Sequence, residues 1–342
     1  MKFLIGNEQV FLGFLDSIKK EDKIAILTHT DLDGIASSIF LEKILESKGL
    51  KVSFLDFFGY KPGMLDDLSI KLNKKNITKV FLTDLNVDGN DLVGFEKLRK
   101  NFNILLIDHH PPNPNLETHV NIIKNHSEDC SAWVLYNFAK KFFNICEWNW
   151  LVCAAMVEEW SFKDNDNLEF LKSKCKDIKD EDPFDSEPGR ISEEISYALK
   201  FNKDAKKIYN SIKKNDMKEI KRTSAIVSKE IDKNIAKFKE NAEYYKDKNL
   251  YFYYGKPKFD IGNIVATKLS KQNKGIYCYA SNIDNKRIRI SFRNNLGEED
   301  VSEIVKNGIK GLEDAEGGGH KRASALSIRT QDLEKFKENT LK

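Results

Sequence analysis

The chain has 342 residues, 40% of them hydrophobic and 32% charged, with 56 Lys and Arg against 53 Asp and Glu. That length suits two domains of ordinary size, and the composition is that of a globular protein with real cores. A formal net charge of +3 excludes a polycation, so any grip on a polyanion has to be local. Five cysteines, an odd number with no CxxC pair, argue against a disulfide framework or a thiolate zinc site. No stretch is long and apolar enough to predict a membrane span, so a cytoplasmic protein is expected.

Val10, Phe11, Phe14, Leu15 and Ile18 recur at helical spacing and predict an amphipathic first helix. From about residue 23 to 125, strand and helix alternate. KIAILTH (23–29), KVSFLDF (51–57), KVFLTDL (79–85) and NILLIDHH (103–110) are short apolar runs and predict strands. GIASSIFLEKILESKG (34–49), a segment opened by Pro62, and DLVGFEKLRKN (91–101) predict the helices between them. Alternation at this pace indicates a mostly parallel α/β sheet. Residues 128–160 read as helical, with Ser131 as a cap. Residues 163–250 are rich in Lys and Glu with helical periodicity, interrupted by a loop at 179–190. Alternation returns from Asn249 and closes on GGGHKRASA (317–325), a strand and a helix. The expected organisation is an α/β domain over 1–165, a helical linker over 166–248 and a smaller α/β domain over 249–342.

Ligand sites of open α/β sheets lie at the carboxyl ends of the strands. Three of the predicted strands end in His29, Asp31 and Asp33, in Asp84, and in Asp108, His109 and His110. Only six histidines occur in the chain, and two stand side by side after an acid. Asp31, Asp33, Asp84 and Asp108 would crowd four carboxylates together, at a cost of several kcal/mol unless cations intervene. Imidazole and carboxylate suit Mn²⁺. Two ions roughly 3.5–4 Å apart form the standard arrangement for hydrolysing phosphate esters.

THTDLDG (28–34), TDL (83–85) and IDHH (107–110), in this order, resemble the first three motifs of the DHH phosphoesterase superfamily. GGGHKRASA resembles the signature of the DHHA1 domain that follows DHH in RecJ-like exonucleases and nanoRNases, and RISFRN with Arg293 resembles the strand before it. The TDLN form and the helical segment are more similar to archaeal RecJ-like proteins. The resemblance implies that His29, Asp31 and Asp84 hold one Mn²⁺. It implies that Asp33, Asp84, His109 and a fourth acid hold another, with Mg²⁺ as the alternative metal. His110 would then contact the scissile phosphate, and Asp108 would orient the histidines. The fourth motif departs from the family pattern: AAMVEEWSF offers Glu158 and Glu159 where Asp is usual, and Glu159 aligns better. Gly317, Gly318 and Gly319 would form an anion-binding turn, with His320, Lys321, Arg322 and Arg293 adding donors. Phe292 and Tyr279 are candidates for stacking a base.

The implied activity is exonucleolytic hydrolysis of single-stranded DNA or RNA, or of short oligonucleotides, to nucleoside monophosphates. A small-nucleotide phosphohydrolase, acting on pAp or on linear or cyclic dinucleotides, is the first alternative. A catalytically weak scaffold in a replication assembly is the second. A second copy of the chain, or a replication or repair protein, is the expected protein partner.

Overall fold

A computed structural model describes residues 2–117, 121–179 and 181–340. The extreme ends of the first and last expected domains, and Asp180 of the expected 179–190 loop, lie outside the described residues. The chain divides into two compact units, Met1–Ser224 and Ala225–Lys342.

The first unit runs β1 (Phe3–Ile5), α1 (Glu8–Asp16), β2 (Ile24–Thr28), α2 (Leu32–Ser47), β3 (Val52–Phe57), α3 (Met64–Lys74), β4 (Lys79–Thr83), α4 (Val87–Asn101), β5 (Asn103–Asp108), β6 (Ile122–Asn125), α5 (Ser131–Ala139), α6 (Asn149–Glu158), α7 (Asn165–Lys174), α8 (Glu187–Asn202) and α9 (Ala205–Lys213). Its six-stranded sheet has the order β1-β6-β5-β4-β2-β3. Every neighbouring pair is parallel except β1 with β6. Successive residues of a strand face opposite sides of the sheet, and each side has its own core. Ile24, Ile26, Phe81, Leu105 and Ile107 pack with α1, α2, α5 and α6. Ala25, Leu27, Val80, Leu82, Ile104 and Leu106 pack with α3 and α4. Burial on both faces is why these strands read as unbroken apolar runs. Apolar residues of α7, α8 and α9, such as Leu171, Ile195 and Ile208, belong to the first of these cores.

Helix α10 (Lys218–Asn241) runs across the division between the units. Then follow β7 (Glu243–Tyr245), β8 (Leu250–Gly255), α11 (Gly262–Gln272), β9 (Ile276–Asn282), β10 (Arg287–Arg293), α12 (Val301–Gly308), β11 (Glu316–His320), β12 (Ala323–Arg329) and α13 (Leu333–Thr340). The second sheet has the order β11-β12-β10-β9-β8-β7. One face packs Phe252, Ile290, Phe292 and Ile328 against Val301, Val305 and Phe336 of α12 and α13. On the other face Phe238 of α10 meets the rings of Tyr253, Tyr277 and Tyr279.

Several local expectations change. Strands β1 and β6 carry no sequence signal, being only three and four residues long, with β6 broken by a lysine. Helix α3 starts after Gly63 at φ +78° rather than at Pro62. Glu187–Arg190, expected in a loop, form the first turn of α8, where Pro188 fits because its missing N–H has no helical partner there. The GGGH run is a strand, not a turn. Among the described residues, no helix is long and apolar enough to cross a membrane.

Candidate metal centre

Strands β5, β4 and β2 are parallel neighbours, and Thr28 pairs with Thr83 and Thr83 with Ile107. The residues that follow therefore emerge together on one edge of the sheet: His29, Asp31 and Asp33, then Asp84, then Asp108, His109 and His110. Thr83 donates to Thr28 Oγ1 (2.8 Å), Thr28 donates to the Gly34 carbonyl (2.9 Å), and Asp84 N–H donates to the Ile107 carbonyl (3.0 Å). These bonds fix where the carboxylates start. Asp84 takes φ +56°, a left-handed conformation uncommon outside glycine and of a kind that clusters at functional sites.

Asp31 caps α2, accepting from Gly34 N–H (3.0 Å), and its other oxygen lies 2.5 Å from His29 Nδ1. Burial is the largest influence and works against charge on both groups, but their mutual bond and attraction, with the further charges and N–H groups nearby, together hold His29 above and Asp31 below their usual ranges. Asp33 is fully buried and accepts from Ser131 N–H (2.9 Å) and Ala132 N–H (2.7 Å). It thus caps α5, the role expected of Ser131. Burial and the Asp31 charge hold its pKa above the usual range, although the His109 charge and these two N–H groups pull it down.

His109 Nε2 stands 3.4 Å from Asp84, 3.9 Å from Asp33 and 3.9 Å from Glu159. Asp84 is 2% exposed, and its Oδ2 has no hydrogen-bond partner. Burial, then the charges of Asp33, Asp31 and Glu159, hold its pKa well above the carboxylate range. Burial and the Asp33 and Asp31 charges push Glu159 up to about 10. Glu158, for which sequence showed only a second-choice ligand, also points inward. It accepts from Ser196 Oγ (2.5 Å) and Leu32 N–H (3.0 Å), and burial with the Asp31 charge pushes it up to about 8.

The ligand atoms of His29, Asp31 and Asp84 lie within 4.8 Å of one another, as do those of Asp84, His109 and His110, and those of Asp31, Glu158 and Glu159. Crowded acids that resist ionisation, an orphaned buried carboxylate oxygen and imidazole nitrogens on both sides of it fit divalent cations. The expected ligands His29, Asp31, Asp33, Asp84, His109 and Glu159 are therefore at one locus.

Asp108 and His110 adjoin this cluster. His110 Nδ1 is 2.8 Å from Asp108 Oδ1, and Asp108 Oδ2 accepts from Lys124 Nζ at 2.6 Å. Lys124 is 0% exposed and lies 2.6 Å from Asp88 as well. Burial opposes ionisation of Asp108, but His110 and Lys124 overcome it and hold it well below the usual range. Burial likewise opposes charge on His110, and the Asp108 bond raises it nonetheless. Lys124 and Asp88 were not legible in the sequence. The only signal is a lysine within the apolar run NIIKN.

In the second unit, two residues expected to bind substrate share a sheet face. Arg293 of β10 pairs with Ala323 of β12, and Ala323 with His320 of β11, so Arg293 and His320 stand in one row on one face. The Arg293 guanidinium donates to Thr267 Oγ1 (3.0 Å) and the Phe292 carbonyl (2.8 Å), and burial lowers its pKa. Gly317, Gly318 and Gly319 lie in an exposed edge strand. Of the three only Gly319 has positive φ (+140°), so they do not form the expected turn. Pairing with β12 explains the difference, because it requires extended backbone. Lys321 and Arg322, in the turn between these strands, are exposed. Phe292 and Tyr279 are both 0% exposed and are core residues, not stacking platforms.

The chain matches the DHH family, N-terminal domain, over residues 23–156 and the DHHA1 domain over residues 246–341. No curated protein sequence matches it. Among solved structures it is similar to exonuclease RecJ bound to manganese, at 12% identity and TM-score 0.71 over 97% of this chain and 92% of that one. RecJ from Thermus thermophilus in complex with Mn²⁺ matches at 13% identity and TM-score 0.68, over 97% of this chain and 53% of its own. An exopolyphosphatase-related protein from Bacteroides fragilis matches at 18% identity and TM-score 0.55, over 99% and 96%. At such identities the likeness is one of fold.

Proposed function

Since the chain belongs to the DHH/DHHA1 phosphoesterase superfamily, we propose that it is a divalent-metal-dependent phosphodiesterase acting on single-stranded nucleic acid or short oligonucleotides and releasing nucleoside monophosphates. One observation carries this reading. Asp84 holds a buried, unpartnered carboxylate oxygen among Asp31, Asp33 and Glu159, with His29 and His109 on either side. In this proposal His29, Asp31 and Asp84 hold one Mn²⁺ or Mg²⁺, and Asp33, Asp84, His109 and Glu159 hold the other. Bound cations would lower the pKa of attacking water and neutralise charge on the phosphate oxygens.

The protein's own contribution is orientation. His110, braced by Asp108, presents its second nitrogen to a phosphate oxygen. In the second unit, Arg293, His320, Lys321 and Arg322 offer donors and positive charge to nucleic-acid phosphates. Gly318 has open space where a Cβ would stand, which suits close approach of a ligand to the bare backbone.

The test is incubation with Mn²⁺ and end-labelled single-stranded DNA, single-stranded RNA, dinucleotides or pAp, beside Asp84→Ala. The expected result is stepwise release of mononucleotides from oligomers and no product with Asp84→Ala. Cleavage of pAp or dinucleotides alone would replace this substrate class with small nucleotides. Equal activity of the variant would overturn the site, and an inert wild type that binds no metal would overturn the enzyme.

A further inference from the structure

Lysine is almost never fully buried unless paired, and Lys124 is fully buried beside Asp108. Its Nζ lies 2.6 Å from Asp108 Oδ2, 2.6 Å from Asp88 Oδ1 and 3.3 Å from the His110 carbonyl. Asp108 and Asp88 are also fully buried. Asp88, at the start of α4, accepts from Asn113 N–H (2.9 Å), and the Asn113 side chain donates back to the Asp88 carbonyl (3.1 Å). One continuous chain of polar contacts therefore joins the loop after His110, through Asp88, Lys124 and Asp108, to the His110 ring.

Within the phosphoesterase reading, on which this rests, we infer that Lys124 is a positioning residue for His110. A carboxylate can rotate about its Cβ–Cγ bond. Asp108 is prevented from doing so because one oxygen is held by the Lys124 ammonium, which leaves the other directed at His110 Nδ1. With Nδ1 engaged as donor, Nε2 faces the site. The ammonium is itself fixed from behind by Asp88 and from the side by the His110 carbonyl. Two strand ends and a helix start thus set the direction of one imidazole. Partners of this kind, one step removed from the reacting groups, change activity by about 10–100-fold when removed.

A purely structural role must be separated from a positioning one. Lys124→Met alone takes the buried ammonium from two buried carboxylates and risks unfolding. Lys124→Met with Asp88→Asn removes one positive and one negative charge together, so the buried net charge is unchanged. The new amide oxygen at position 88 would still accept from Asn113 N–H. The double variant is expected to fold with wild-type circular dichroism and to bind Mn²⁺ as the wild type does. Its kcat should fall by about tenfold or more with KM within about twofold.

A second readout needs neither metal nor substrate. The His110 Nδ1–H proton, assigned by its loss in His110→Gln, should give a protected downfield NMR resonance in the wild type and none in the double variant. Wild-type kcat and a retained resonance in the folded double variant would overturn the positioning role. A wild type inert on every substrate would overturn the phosphoesterase reading instead, and the resonance then decides the role of Lys124 alone.

Discussion

At the scale of single residues, the site is a set of groups held in unfavourable ionisation states. Asp84, Glu158 and Glu159 all have raised pKa values, and burial is the first cause in each. A carboxyl group with a raised folded-state pKa binds its proton more tightly folded than unfolded. Stability then falls as pH rises from its unfolded value, about 3.9 for Asp and about 4.3 for Glu, toward its folded one. His29 and His110 are raised as well, and the stability they add is lost as pH passes their folded pKa values. Asp31 and Asp108 are lowered and already ionised in both states above about pH 5, so they add no slope in this window. The contributions of these site residues that change between about pH 6 and pH 8 share one sign. Metal-free protein should therefore lose Tm over that interval. The gain in Tm on adding Mn²⁺ should grow over the same interval, because the cation replaces protons that the acids release. Differential scanning calorimetry in chelator and in Mn²⁺ measures both, and a Mn²⁺ gain that is flat with pH would show that these acids are not the ligands.

At the scale of elements, strand ends deliver the proposed ligands and helix starts hold them. Asp33 combines the two, since it follows β2 and its carboxylate caps α5 across the site. Asp33→Ala should destabilise even the metal-free protein by about 2 kcal/mol, because two buried N–H groups lose their acceptor. Asp84→Asn should behave in the opposite way. It removes a buried, repelled carboxylate while an amide still tolerates the left-handed backbone, so the metal-free protein should gain stability as the Mn²⁺ response disappears. Urea titration of the two variants in chelator checks the pair. Destabilisation by both would mean that Asp84 is held by its neighbours rather than by cations. The glycine edge β11 shows a different kind of local control. A Cβ at Gly319 would stand 2.5 Å from the Ala323 carbonyl, so that glycine serves the hairpin itself.

At the scale of the whole molecule, two compact units carry separate sheets and separate cores. Basic and acidic residues nearly cancel, at 56 against 53, so affinity for a polyanion has to come from placement rather than total charge. Lys321→Ala with Arg322→Ala should weaken binding of single-stranded oligonucleotides. It should also reduce the slope of log K against log salt by about 0.7 for each phosphate that is no longer neutralised. Fluorescence anisotropy over a salt series measures this, and an unchanged slope would remove the β11–β12 turn from the binding surface.

The sequence by itself determined the alternation of buried strands and amphipathic helices, because hydrophobic periodicity is a local property. It also determined that acids and histidines sit just past three of those strands. The types of the candidate ligands and their order along the chain were readable for the same reason, and they sufficed to indicate the family. Only the tertiary structure decided the partners. That Asp33 caps a helix far along the chain, that Glu158 joins Glu159 in facing the acids, and that GGGH is an edge strand all follow from pairings between distant segments. Lys124 is the clearest case. In sequence it interrupts a four-residue strand and weakens its signal. In the fold it is the buried cation between two aspartates, since strand order brings β6 beside β5 and pairs that lysine with Asp108.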